Sequence, residues 1–337
     1  MTLTTTTTTT TLRLGTRASE LATTQSQTVA DAITAATGVA VELVPISTEG
    51  DRSSQAIQQL GGTGVFVTAL RDALLRGEVD FAVHSLKDLP TAQPEELVLA
   101  AVPEREDPRD VLVARHHLKL TDLPRGARIG TGSARRAAQL NAYARAHGLD
   151  IETVPIRGNV DTRIRYVHDG ELDAVVLAAA GLSRIGRLDE VTDFLSVDTV
   201  LPAPGQGALA IECTAGNADL IAALGELDDP FTRVAVTAER SLLAALEAGC
   251  SAPVGALADL PPLTAPLERG GPQAERQIVK EMRLRGVVGT PDGTRTVQLS
   301  TTGPVPETHE AATALGRELA TEMLAQGAAG LMGERAQ

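Results

Sequence analysis

One short segment, HSLKDLP at 84–90, places a lysine and an aspartate directly after an apolar strand pattern. The strand, VDFAVHS, should be buried, so Lys87 and Asp88 lie where it reaches the surface. A carboxylate that is partly removed from water can serve as a general acid and base. Asp88 is therefore a candidate catalytic residue. Alternatively, Lys87 and Asp88 form a simple turn pair in which Asp88 caps the next element.

Arginines and hydroxyl residues stand at further turns between strand and helix patterns. These residues are Arg17 and Ser19 in GTRASELATTQ, Thr131, Ser133, Arg135 and Arg136 in GTGSARR, and Arg157 and Arg163 in IRGNVDTR. Helix starts bind anions through free N–H groups and the helix dipole, and guanidinium groups match carboxylates. The pattern indicates a cleft for several carboxylates. Alternatively, the serines only cap helices and the arginines pair with surface acids.

The segment EAGCSAPVG holds Cys250, one of only two cysteines, just past a long helix pattern. Gly249 before it is typical of a helix stop. From the residues alone, Cys250 could carry chemistry or be an inert turn cysteine. The other cysteine, Cys213, lies in the apolar strand pattern GALAIECT, and we interpret it as structural.

Other motifs give weaker signals. The segment GTGSAR lacks the third glycine of a dinucleotide fingerprint, because Arg135 occupies that place. The segment GGTG at 61–64 is not followed by the lysine of a phosphate loop, so we interpret it as a flexible turn. The six histidines show no metal-site spacing, and we predict no metal. The nucleophile elbow Gly-x-Ser-x-Gly does not occur.

Composition narrows the class of protein. The 337 residues suit two or three domains, and the net charge of −13 argues against nucleic-acid binding. Two cysteines indicate a reducing compartment, so we expect a cytoplasmic protein. The sequence contains no apolar run of about 18 residues, so we predict no membrane-spanning helix. The threonine-rich start lacks the features of a secretory signal, and we interpret residues 1–11 as a disordered tail.

Strand and helix patterns alternate in two series, which predicts an α/β fold with two parallel-rich lobes. Proline-rich joints at 101–110 and 201–207 bracket the second series. The strand GALAIECT follows the second joint, and we expect it to return to the first lobe. From about residue 229 the pattern becomes a smaller α+β region with a hairpin around TPDGT. The predicted domains are 12–104 with 205–228, 105–204, and 229–337.

Taken together, these segments resemble the hydroxymethylbilane synthase (porphobilinogen deaminase) family. The resemblance rests on RASELATTQ, GVFVTALRDALLRGEVDFAVHSLKDLPT, IGTGSARRAAQL, IRGNVDTR, LPAPGQGALAIE and GCSAPVGA, in family order from about residue 12 to 256. It implies two lobes like those of periplasmic binding proteins. It also implies a transferase of tetrapyrrole (heme) biosynthesis, which joins four porphobilinogen molecules and releases ammonia at each step. Water finally releases the linear product, hydroxymethylbilane.

The same resemblance assigns roles to residues. Cys250 would hold a dipyrromethane cofactor through a thioether, and Asp88 would be catalytic. Cofactor contacts would come from Lys87, Asp88, Ser133, Arg135 and Arg136. Substrate contacts would come from Arg17, Ser19, Thr131, Arg157 and Arg163. Two positions depart from the family pattern, Glu49 and Thr63, and they put anion contacts from the 48–63 loop in doubt.

One other function class fits the two-lobed shape, a non-enzymatic carboxylate-binding protein. Such a protein needs no cysteine turn and usually carries an export signal. A ligand-sensing regulator would need a DNA-binding helix pair, which the sequence lacks. We therefore expect an enzyme that takes a small-molecule substrate, porphobilinogen. We expect it to bind neither nucleic acid nor membrane, and to be a monomer.

Overall fold

The computed structural model describes residues 11–46, 64–247, 252–259 and 281–332. The chain forms two compact units. The first unit runs to Asp107 and also takes in Ala180–Asp189 and Gly207–Pro230. The second unit contains the remainder, including the region predicted as a third domain. The three-domain division therefore stays a prediction.

The helices and strands follow the alternation expected from the sequence. In the described residues the strands are β1 (Leu12–Thr16), β2 (Val41–Pro45), β3 (Phe81–Ser85), β4 (Leu97–Ala101), β5 (Asp110–Ala114), β6 (Ala127–Thr131), β7 (Ile151–Pro155), β8 (Ala174–Ala178), β9 (Asp193–Phe194), β10 (Leu209–Thr214), β11 (Val254–Asp259), β12 (Glu281–Gly289) and β13 (Thr296–Pro304). The α-helices there are α1 (Glu20–Thr37), α2 (Gly64–Leu75), α3 (Ala134–His147), α4 (Val160–His168), α5 (Ala179–Arg184), α6 (Ala218–Gly225), α7 (Pro230–Ala245) and α8 (His309–Ala325).

Two five-stranded sheets share one topology. The first has the order β2-β1-β3-β10-β4, and the second has the order β7-β6-β8-β5-β9. In each sheet three neighbouring strands are parallel, and the fourth runs antiparallel to both of its neighbours. The antiparallel strand of the first sheet, β10, comes after all strands of the second sheet in the chain. The predicted α/β class with parallel-rich sheets is confirmed.

A third, antiparallel sheet has the order β11-β12-β13. Its strands β12 and β13 form the hairpin predicted around TPDGT, and Gly293 in the turn has a φ of 69°. Side chains of α7 and α8 pack with this sheet around Leu242, Leu284 and Met323. The predicted smaller α+β region is thus confirmed.

The cores are aliphatic, as an aromatic content of 2% requires. In the first unit, Leu14, Ile33 and Ile211 pack around Phe81, which is fully buried. In the second unit, Leu112, Ile129 and other aliphatic side chains play the same role. Burying these side chains contributes about 1.5–3 kcal/mol each. These buried cores stabilise both sheets, and the sheets in turn hold the loops at their strand ends.

Parallel pairing brings the candidate loops together within each sheet. In the first sheet, β1 and β3 are parallel neighbours, so Arg17 and Lys87 follow strands that end at the same edge. In the second sheet, β6 and β7 are parallel neighbours, so Ser133 and Arg157 do likewise. The carboxyl edge of an open α/β sheet is where ligands bind.

Candidate functional site

Asp88 ends a short 3₁₀ turn, Leu86–Asp88, directly after β3. Leu86 is fully buried, and its backbone N–H donates to the carbonyl of Ala208, 3.0 Å away and one residue before β10. The turn is therefore fixed to the sheet by its first residue. Lys87 and Asp88 are partly buried. Within the described residues, the Asp88 carboxylate forms no hydrogen bond or ion pair, so both of its oxygens can reach a ligand.

The hydroxyl of Ser19 serves as the N-cap of α1 and accepts a hydrogen bond from the N–H of Ala22 at 3.4 Å. The capping alternative raised for Ser19 is therefore part of its role. Arg17, two residues earlier, is partly buried. Whether either residue also contacts substrate stays a prediction.

Sequence reasoning missed Gln25 on α1. Its side chain is only 4% exposed, and Oε1 accepts from the hydroxyl of Ser85, at 3.3 Å, the last residue of β3. Its amide Nε2 is buried and has no acceptor among the described residues. The signal in the sequence was weak, because Gln25 is a polar residue within a helix whose buried face is not strongly apolar.

In the second unit, two hydroxyl residues build the turn before α3. Thr131 is buried, and its Oγ1 accepts from the N–H of Ser133 at 3.2 Å. Ser133 caps α3 and accepts from the N–H of Arg136 at 3.4 Å. Both hydroxyls keep a hydrogen that they can donate to an anion.

Arg135 and Arg136 are buried around one carboxylate, that of Asp110 at the start of β5. Nη1 of Arg135 lies 2.7 Å from Oδ2, and Nη2 of Arg136 lies 2.7 Å from Oδ1. Nε of Arg136 and Nε2 of Gln206 also donate to Oδ1. Nη1 of Arg135 further donates to the carbonyl of Leu201, and Nη1 of Arg136 to that of Val176. Sequence reasoning missed Asp110 and Gln206.

The pKa of Asp110 reflects this environment. Burial by itself raises the pKa, but the charges and hydrogen bonds of Arg135 and Arg136 outweigh burial and hold it well below its ordinary range. Asp110 is thus ionised at neutral pH. One negative charge balances only one of the two guanidinium charges, so this group of three side chains carries a net charge of +1.

A buried positive charge with a spare donor fits a carboxylate ligand. Nε of Arg135 is buried and has no acceptor among the described residues. Unpaired buried charges are costly, and a carboxylate brought by a ligand would neutralise this one. The acetate and propionate groups of a dipyrromethane meet that requirement. The residues present therefore fit the cofactor that the sequence resemblance implied.

Arg157 and Arg163 follow β7. Arg157 is exposed and forms no hydrogen bond or ion pair within the described part of the chain. Nε of Arg163 donates to the carbonyl of Gly158 at 2.9 Å, which places its guanidinium near Gly132. A side chain at Gly132 would collide with the carbonyl of Ile156, so this approach requires glycine.

A cavity of about 160 Å³ opens beside this turn. Its polar lining comes from Thr131, Ser133 and Thr153, and Pro155 at the end of β7 closes one side. The start of α3 therefore faces free space rather than packed side chains.

Cys213 is completely buried in β10. Burial, with a contribution from the charge of Glu212, raises the pKa of its thiol to about 11. A thiol that stays protonated at neutral pH is a poor nucleophile, which agrees with the structural role expected for Cys213. Cys250, together with Glu49 and Thr63, lies outside the described residues.

Arg184 was also missed from the sequence. It ends α5 within the first unit, and its Nη2 donates to the carbonyl of Gly207 at 2.6 Å. Burial lowers the pKa of Arg184, while the charge of Glu106 opposes that shift. An arginine held this way beside the chain's return to the first sheet is a further candidate for anion binding.

Clusters of three or more histidine, cysteine or acidic side chains suited to a metal ion are absent from the described residues. Among their helices, none combines the length and the apolar character needed to span a bilayer.

Comparisons with known proteins agree on one family. Residues 12–222 match the family described as "Porphobilinogen deaminase, dipyromethane cofactor binding domain", and residues 233–325 match "Porphobilinogen deaminase, C-terminal domain". "Porphobilinogen deaminase 1" of Streptomyces coelicolor is 78% identical over 326 residues, which covers 97% of this chain and 98% of that protein. "Porphobilinogen deaminase" of Thermobifida fusca is 57% identical over 320 residues and covers 94% of each chain.

Among solved structures, one similar chain is an ABC transporter periplasmic substrate-binding protein from Coxiella burnetii. It is 14% identical with a TM-score of 0.41, and the match covers 66% of this chain and 94% of that one. The two family matches together span most of this sequence, and the relatives are far above 30% identical. The chain therefore belongs to the porphobilinogen deaminase family.

Proposed function

We infer that the chain is a hydroxymethylbilane synthase, a transferase that condenses four porphobilinogen molecules head to tail with release of ammonia. The observation that carries this function is the family match over residues 12–222 and 233–325, with a relative 78% identical along almost the whole length. The dipyrromethane cofactor, when bound, supplies the pyrrole carbon to which the first substrate is joined.

Cys250 is the residue that we assign to cofactor attachment. It stands in the segment GCSAPVGA, which matches the family pattern. The only other cysteine, Cys213, is buried with a pKa raised to about 11, so its sulfur is a poor nucleophile. Attachment through Cys250 is consistent with both observations.

Asp88 is the residue that we assign to proton transfer. Loss of the substrate's amine needs a proton and leaves a cationic methylene-pyrrole, which a nearby carboxylate stabilises as it forms. The same carboxylate can then remove the ring proton after the carbon–carbon bond has formed. Its support is the position of Asp88 on a fixed turn, partly buried and free of internal partners within the described residues.

Carboxylates of the cofactor are assigned to Lys87, Ser133, Arg135 and Arg136. The support is the net charge of +1 around Asp110 and the spare Nε of Arg135. Because Asp110 already fixes both guanidinium groups, they do not need to reorganise when a carboxylate arrives. Preorganised donors of this kind bind more tightly than mobile surface arginines.

Carboxylates of the incoming substrate are assigned to Arg17, Ser19, Thr131, Arg157 and Arg163. Each pyrrole unit brings an acetate and a propionate, so a growing chain needs several cationic contacts. Arg157 is the clearest member of this set, because it is exposed and makes no internal contact in the described residues. Thr131 and Ser133 can donate from hydroxyls whose oxygens already accept backbone N–H groups.

The function is tested by incubating the purified protein with porphobilinogen. We expect four ammonia molecules for each linear tetrapyrrole released, and a ladder of protein masses that rises by single pyrrole units during the reaction. In Arg157→Ala we expect the ladder to accumulate at partial lengths. Binding of porphobilinogen without ammonia release would instead favour the non-enzymatic carboxylate-binding alternative.

Two remaining expectations concern setting and assembly. A monomeric state and a cytoplasmic location are part of the same proposal, supported only by the scarcity of cysteine and the polar character of the sequence. Size-exclusion chromatography with light scattering tests the monomer, and a mass twice that of the chain would contradict it.

A further inference from the structure

A buried charged network lies next to the Asp88 turn and is not explained by the chemistry above. Glu212 on β10 is completely buried, and Arg71 on α2 binds it with two nitrogens. The distance from Nη2 of Arg71 to Oε1 is 2.8 Å. On the other side, Nε2 of His84 lies 3.3 Å from Oε2 of Glu212. All three side chains belong to the first unit.

Apolar side chains also pack α2 onto the sheet. Leu70, Leu74, Val79 and Ala82 already form a buried apolar cluster there. Replacing a buried ion pair by apolar residues of similar volume is often neutral or stabilising. A better-supported use of a buried charge is to fix one register among alternatives.

The hydrogen-bonding register of β10 is not fixed by regular pairing on both of its sides. Its pairing with β4 shifts between Ile211 and Glu212, so that side of the strand does not hold a regular ladder. On the β3 side, Glu212 pairs with Ala82 and Ala210 pairs with His84. A slip by one residue would turn Glu212 to the opposite face, away from Arg71 and His84. The charged network therefore specifies one register of β10 against β3.

That register reaches the catalytic turn through the backbone. The carbonyl of Ala208, one residue before β10, accepts the N–H of Leu86, the first residue of the Leu86–Asp88 turn. His84 is the last residue of β3 on the face that Glu212 shares. The segment that leads into Asp88 is thus held by β10 through β3 and by Ala208 through Leu86.

We propose that Glu212, held by Arg71, is a positioning residue that sets the location of Asp88 by fixing β10 against β3. The proposal rests on the proposed function, because it assigns a role relative to Asp88. The ionised state that it needs is supported by the pKa of Glu212. Burial raises that pKa, but the close contact with His84 and the hydrogen bonds from Arg71 outweigh burial and keep it below its ordinary value.

The test compares three variants of the full-length holoenzyme. Glu212→Gln leaves the charge of Arg71 buried without a counterion, so both thermal stability and turnover should fall. Arg71→Met with Glu212→Leu removes both charges and should recover the thermal midpoint. In this double variant we still expect kcat to stay at least about ten-fold below wild type with KM little changed, since small displacements of a catalytic group are costly.

Glu78→Gln is the matched control. It removes an ion pair with Arg76 that is 2.6 Å long but exposed, just beyond the end of the same helix α2. Its turnover and stability should equal those of wild type. Hydrogen exchange at the Leu86 amide should be faster in the double variant than in the control, because its acceptor on Ala208 is no longer fixed.

Each outcome decides the proposal. A double variant with near wild-type kcat and an unchanged Leu86 amide would show that the network is only structural. If neither network variant folds, the network is a condition of folding, and the positioning role is likewise overturned. Failure of the proposed function is distinguishable, because wild type itself would then release no ammonia from porphobilinogen.

Discussion

Two aspartates of this chain have opposite environments, and their chemistry differs accordingly. Asp110 is completely buried and accepts hydrogen bonds from Arg135, Arg136 and Gln206, so it stays ionised at neutral pH. Asp88 lies on a turn, partly buried, and has no partner among the described residues. A carboxylate that stays ionised at neutral pH can organise arginines, whereas a carboxylate without internal partners can exchange protons with a ligand.

Replacing Asp88 with asparagine should remove proton transfer while leaving the fold intact. We expect kcat to fall by at least about 100-fold, because general acid–base groups contribute at this scale or above. The covalent cofactor and the thermal midpoint should be unchanged, as measured by intact mass and calorimetry. Asp31→Asn, on the exposed face of α1, is the control. Near-normal turnover in Asp88→Asn would refute the catalytic assignment.

Asp110 should make stability depend on pH. Its pKa is depressed in the folded protein, so its contribution is fully present above the ordinary aspartate pKa and declines as pH falls below about 4. At pH 7, Asp110→Asn should lower the free energy of unfolding by about 3–5 kcal/mol, because two buried guanidinium groups lose their anion. Urea unfolding at pH 7 and pH 3.5 should show this difference shrinking at the lower pH. A difference that does not vary with pH would contradict the assignment.

Individual site residues were predictable only in part. The turns that hold Arg17, Lys87, Asp88, Ser133 and Arg157 could be located because strand and helix periodicity place them at strand ends. The partner of Arg135 and Arg136 could not, because Asp110 lies about 25 positions earlier and meets them only across the sheet. The sequence left open whether Ser19 and Ser133 cap helices, and the structure shows that both do.

At the scale of elements, segments with a clear strand or helix pattern were predictable, and the strands that flank the first proline-rich joint were not. Helices such as α1, α3 and α8 agree with the patterns read from the sequence. The strands β4 and β5 were missed because they flank the proline-rich joint at 101–110, where no helix pattern separates one strand from the next. Strand β8 ends at Ala178, and the alanines that follow begin helix α5, since an alanine run has little strand preference.

The hairpin turn between β12 and β13 docks onto helix α3, and glycine makes this possible. Nδ2 of Asn141 donates to the carbonyl of Pro291, and Nε of Arg145 donates to that of Asp292. Gly293 has a φ of 69°, and a side chain there would collide with the backbone of Asn141 and Ala142. The helix that carries Arg135 and Arg136 is thereby tied to the third sheet.

Gly293→Ala should destabilise the protein through this contact. Gly186→Ala is a matched control, since Gly186 also has a φ of 69° but has open space around it. The control should cost about 1 kcal/mol from backbone strain alone. Gly293→Ala should cost about 1–3 kcal/mol more, the usual effect of overpacking. Equal losses in calorimetry would mean that the turn does not press on α3.

At the scale of the whole molecule, the net charge has the same sign as the substrate that the protein must bind. The chain carries a net charge of −13, yet it must hold a growing polyanion. Long-range attraction cannot do this, since charges beyond about 10 Å are screened in salt. Local arginine clusters with internal counterions, such as the one around Asp110, can bind the carboxylates of a polyanion at short range. The repeated sheet topology supplies two carboxyl edges where such clusters form.

Attachment of the dipyrromethane cofactor to Cys250 is the central proposal for this function, and intact mass of the freshly purified protein measures it directly. We expect wild type and Cys213→Ser to carry an added mass of two pyrrole units, and Cys250→Ser to carry none. Peptide mapping should locate the added mass on the peptide that contains Cys250. An unmodified wild-type chain that gains no mass when supplied with porphobilinogen would contradict the assignment.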